Sequence, residues 1–117
     1  QSGNDRWNST SICKESDCSD YVIGDQRADV WEFTADSAGM FAKVFNNSKL
    51  VRVFSGGFTN NEIHLRFKTD SAVAKQVDRQ VVLNQIENNV MKGTEIITGE
   101  NNCTARFSVE LARAPKK

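Results

Sequence analysis

Residues 71–92, SAVAKQVDRQVVLNQIENNVMK, decide how this chain is read. No Gly or Pro interrupts them before Gly93. Val73, Val77 and Val81 recur every fourth residue, and Val82, Ile86 and Val90 do the same on a second flank. Side chains four apart meet on one face of an α-helix. Asp70 or Ser71 supplies a cap, and Gly93 a C-terminal stop. The β-branched pair Val81-Val82 suits a helix less well. Two apolar flanks imply a helix covered on both sides or bent near residues 81–83. The stretch is therefore read as one long helix.

Outward from it, the pattern is β. Residues 62–68 put Ile63, Leu65 and Phe67 on one side and Glu62, His64, Arg66 and Lys68 on the other, a period of two. Residues 29–35, 40–45 and 49–54 are further apolar segments, separated by the turn signals Asp36-Ser37-Ala38-Gly39 and Asn46-Asn47, with Gly56-Gly57 closing the last. Short turns between such strands make an antiparallel meander. Downstream, residues 94–98 hold Ile96 and Ile97, and residues 104–113 alternate Ala105, Phe107, Val109 and Leu111 with polar neighbours. The order is β-β-β-β-α-β-β. The expected class is α+β: about six antiparallel strands with one long helix packed on one face, a partly closed barrel being the alternative.

The 117 residues suffice for one domain. Residues 1–28 read as a polar N-terminal leader or tether, 29–113 as the globular domain, and 114–117 as a frayed tail. The start at Gln1 reads as a mature or truncated chain, and the leader leaves room for a lipid anchor. Cysteines stand at Cys13, Cys18 and Cys103. The C-x4-C spacing with one distant third Cys and a single His64 does not suit zinc, so a disulfide is expected. Either Cys13 pairs with Cys18, or one of them pairs with Cys103; the long loop stabilises more and is preferred. Disulfide use points outside a reducing cytosol, to the periplasm or a secreted state. Three Asn-x-Ser/Thr triplets begin at Asn8, Asn46 and Asn102 and carry glycans only in a eukaryotic secretory pathway.

Lys plus Arg equals Asp plus Glu at 15 each. A nucleic-acid partner is not expected without a basic surplus. No apolar run approaches the roughly 20 residues of a membrane span. The balance is uneven, since residues 1–36 hold eight acidic and three basic residues.

No catalytic set stands out. His64 is the only histidine and lies on the polar side of a strand; no nucleophile elbow, phosphate loop or calcium loop is present, and no cofactor or metal is expected. Lys43, Arg52, Arg66 and Arg106, with His64, are candidate contact residues if their strands share one polar face. Phe41 and Phe45 flank Lys43 and are candidate apolar contacts. The expected function is a small exported, non-enzymatic module that recognises another protein, such as an inhibitor, an immunity or exclusion factor, or an envelope assembly lipoprotein. The alternative is a carrier of a small apolar ligand or lipid between helix and sheet.

Overall fold

The computed structural model describes residues 5–69 and 77–113. Eight strands follow in chain order: β1 Asp5–Ser16, β2 Gln26–Asp36, β3 Gly39–Asn46, β4 Lys49–Thr59, β5 Glu62–Lys68, β6 Asp78–Ile86, β7 Val90–Thr98 and β8 Thr104–Arg113. Each pairs antiparallel with the next, and β8 returns to pair with β1. The sheet is thus a closed up-and-down barrel, an arrangement that leaves no free edge.

This overturns the α+β expectation. No α-helix occurs among the described residues; Glu100–Asn102 forms a single 3-10 turn. Within 71–92, the described part is β6, a turn and the start of β7. The reason lies in arithmetic: side chains spaced by four also share one face of a strand, whose period is two. Val81 and Leu83 are fully buried, Val82 between them is half-buried, and Gln80 and Asn84 on either side are exposed. Valine and isoleucine suit a pleated sheet better than a helix. Asn88 and Asn89 supply the turn, closed by the Glu87 N–H donating to the Val90 carbonyl at 2.9 Å. Val73 and the cap at Asp70 or Ser71 lie outside the described residues. A closed barrel buries its apolar face against itself, so no helix is needed to cover it.

The supposed leader is also integral. Asp5–Ser16 is β1, paired along its length with both β2 and β8. Its Trp7, Ser9, Ser11 and Cys13 point inward and are buried. The tail at 114–117 lies outside the described residues. Cys18 pairs with Cys103, and Cys13 is a buried free thiol.

Two glycines shape the cylinder. A Cβ on Gly56 would stand 1.8 Å from the His64 carbonyl oxygen, and one on Gly93 1.8 Å from that of Val82. Both lie on inward-facing positions, where the missing side chain lets adjacent strands bend sharply. The turns Asn47-Ser48 and Asn60-Asn61 have positive φ at both residues. That is the two-residue hairpin turn whose twist matches the strands, and it uses asparagine's tolerance of this conformation.

Phe54, Phe107, Leu83, Ile97, Leu111, Val44, Val81 and Val109 are fully buried inside. Trp31 stacks on Phe54 with centroids 5.3 Å apart, and Phe54 meets Phe67 edge-on. Charged side chains such as Lys43, Lys68, Lys92 and Glu110 are exposed on the outer face. No helix among the described residues is long and apolar enough to cross a membrane.

Candidate functional site at the disulfide end of the barrel

The connections β1–β2, β3–β4 and β7–β8 gather at one end of the barrel. Cys18 in the first and Cys103 in the last are joined across 85 positions. Around this bond the β1–β2 loop is tightly fixed. The Gly24 N–H donates to the Cys13 carbonyl, and the Cys13 N–H to the Asp25 carbonyl, each at 2.9 Å. The Ser16 hydroxyl donates to the Tyr21 carbonyl at 2.6 Å. The Tyr21 ring packs edge-on against Phe107.

The loop ends in a β-turn over Val22, Ile23, Gly24 and Asp25. The Asp25 N–H donates to the Val22 carbonyl at 2.9 Å, and the Val22 N–H donates to Asp25 Oδ2 at 3.1 Å. Gly24 takes φ of 96°, as the third residue of a type II turn requires. This places Val22 and Ile23 at the tip, 60% and 64% exposed, the most exposed large apolar side chains among the described residues.

Inside the same end, five charged residues converge. Arg79 donates to Glu95 at 3.0 Å, a buried pair between β6 and β7. Arg27 lies against two rings that pack edge-on, its Cζ 4.9 Å from the Tyr21 centroid and 5.0 Å from that of Phe107. Asp29 accepts a hydrogen bond from Asn46 Nδ2 at 2.9 Å. Arg52 is half-buried. Burial lowers its pKa, as do the charges of Arg79 and Arg27, while Glu95 and Asp29 oppose the shift. Ser9 and Ser11 pair across from Asp29 and Arg27, and their small polar side chains suit this polar part of the interior. A cleft of about 370 Å³ opens here, lined by Arg27, Asp29, Asn46 and Arg52 among others. Guanidinium groups stay charged at any ordinary pH and hold oxyanions through forked hydrogen bonds. The chemistry on offer is binding.

The residues singled out from sequence fall elsewhere, with one exception. Lys43, Phe41 and Phe45 are on the outer face of β3, the two rings half-buried. His64 and Arg66 are exposed on β5; His64 Nε2 is 3.0 Å from Glu62 Oε1, and Arg66 is bonded to Asp78 at 2.7 Å. Arg106 on β8 pairs with Glu15 at 3.2 Å. Strands β3, β5 and β8 lie on different sides of the cylinder, so closure separates these charges instead of gathering them. Arg52 alone turns inward and joins the site. Sequence reading missed Tyr21, Val22, Ile23, Arg27, Asp29, Arg79 and Glu95. A signal for the first three existed: an apolar pair followed by Gly24-Asp25 is a type II turn sequence. Asp17, Cys18 and Cys103 also lie within 4.8 Å of one another, but both sulfurs are used by the disulfide.

The disulfide is compatible with an oxidising compartment. Comparison with protein-family models, with curated proteins and with solved structures returns no match to this chain.

Proposed function

We propose that this protein is a small extracytoplasmic, non-enzymatic module that recognises another protein with the disulfide end of its barrel. The observation that carries this reading is the Val22–Ile23 turn. Two aliphatic side chains stand in water on a backbone fixed by a disulfide, a ring contact and five hydrogen bonds. Presenting them to a partner costs little further ordering, which is the usual loss on association. Burying the two side chains against a partner removes their apolar surface from water, which favours association. An inhibitor that seats such a turn in a partner's cleft is the simplest member of this class. Immunity factors and envelope assembly lipoproteins share the same requirement.

Carriage of a small apolar ligand has less support. The large apolar side chains of the barrel are packed against each other, and the clefts found among the described residues open to solvent. Ligand pockets bury most of their occupant and are largely apolar.

The test is capture from extracellular or envelope extract on immobilised protein, run beside the double variant Val22→Asp/Ile23→Asp. One stoichiometric protein is expected on the wild type and not on the variant. Equal capture by both overturns the reading. So does a small molecule, and no protein, found by native mass spectrometry without detergent.

A further inference from the structure

The charges at the barrel mouth do not balance. Glu95 is taken by Arg79. Arg27, Arg52 and Arg79 thus share two carboxylates, Glu95 and Asp29, and Asp29 is itself bonded to Asn46. Among the described residues, neither Arg27 nor Arg52 has a carboxylate within ion-pair distance. The Arg27 guanidinium carbon lies 4.9 Å from the Tyr21 ring centroid and 5.0 Å from that of Phe107, and these two contacts hold it in place. Both arginines line one open cleft of about 370 Å³, wide enough for a ligand and not only for a water.

The geometry points to an oxyanion-binding site in this cleft, with Arg52 and Arg27 as the recognising groups and a carboxylate or phosphate as the ligand. The forks of two guanidiniums match the oxygen spacing of either anion. Burial and the neighbouring positive charge of Arg79, which lower Arg52, both favour drawing a negative group in beside it. The Asp29 carboxylate in the same cleft repels an incoming anion and so weakens the site. The inference stands on the cleft alone and is independent of protein recognition at the Val22–Ile23 turn. Val22→Asp is therefore expected to leave anion binding in place even where partner capture is lost.

The experiment is calorimetric titration of the full chain at low ionic strength with inorganic phosphate and, separately, with succinate. One anion per chain is expected to saturate, and the anion that does so tells phosphate from carboxylate. Arg52→Gln is expected to weaken binding by about tenfold or more, the loss of one charge-assisted hydrogen bond. Arg52→Lys, which keeps the charge but not the fork, is expected between the two. Asp29→Asn is expected to tighten binding several-fold and supplies a second arm should the Arg52 variants fold poorly. No saturable heat with either anion overturns the inference, as does wild-type affinity in folded Arg52→Gln. An affinity unchanged or weakened by Asp29→Asn likewise counts against it.

Discussion

At the scale of single residues, the structure turns on what is absent as much as on what is present. Gly56 and Gly93 are surrounded by the backbone of the next strand, and a methyl group at either would stand inside the van der Waals radius of a carbonyl oxygen. Gly57, one position away, has open space where the methyl group of an alanine would stand. Gly56→Ala is therefore expected to lower stability by about 3 kcal/mol or more, through overpacking and loss of strand pairing, while Gly57→Ala stays within about 0.5 kcal/mol. Urea midpoints of the two variants check this, and equal midpoints would contradict it. Gly56-Gly57 reads in sequence as a strand break. The strand in fact runs through it to Thr59. Composition alone does not reveal whether a glycine ends a strand or lets it bend. That depends on which neighbour crosses it.

At the scale of elements, the strands are held by core alternation and by ion pairs laid across their outer faces. Arg66 on β5 is bonded to Asp78 on β6 at 2.7 and 3.2 Å. The hydrogen bond from Arg66 holds the Asp78 carboxyl below its usual range, and burial only partly opposes this. A depressed carboxylate stabilises the fold above its unfolded value of about 4, and the stabilisation fades as pH falls through the folded value. Glu15, lowered by Arg106, acts with the same sign at the β1–β8 seam. Urea midpoints measured from about pH 5 down to about pH 2 should fall more steeply in wild type than in Asp78→Asn. Parallel curves would show that the pair contributes nothing. The strands themselves were legible where apolar and polar residues alternate, as in 62–68 and 104–113. They were hidden in β1, where the inward positions after Trp7 are Ser9 and Ser11, and serines beside an interior charge cluster look like a tether when read alone. They were hidden again in β6 and the first half of β7, where a four-residue recurrence of valine and isoleucine fits both a helix and a strand, while residues 94–98 were read as a strand.

At the scale of the whole molecule, closure is the decisive event. The β1–β8 seam joins residues 7–16 to residues 105–113, and the Cys18–Cys103 disulfide ties the same two regions. Cross-linking a loop of this length restricts the unfolded chain strongly. Cys18→Ala/Cys103→Ala is expected to lose about 2–5 kcal/mol, measured by urea unfolding against the oxidised protein. In the oxidised protein, Cys13 should resist alkylation until the chain unfolds, since it is 1% exposed. Rapid labelling of Cys13 under native conditions would contradict the seam as described.

The sequence by itself determined that residues 29–68 and 94–113 are largely strand, that their apolar side chains alternate, and that a bond to Cys103 is the favoured way to use its cysteines. Each of these is local, or needs only a count and a spacing. Only the tertiary structure decided that there are eight strands and no α-helix among the described residues. It also decided that Cys18 is the partner of Cys103, and that Arg27, Asp29, Arg52, Arg79 and Glu95 meet at one end. Those facts depend on register between strands distant in the chain, and a closed cylinder fixes register only when its last strand has found its first.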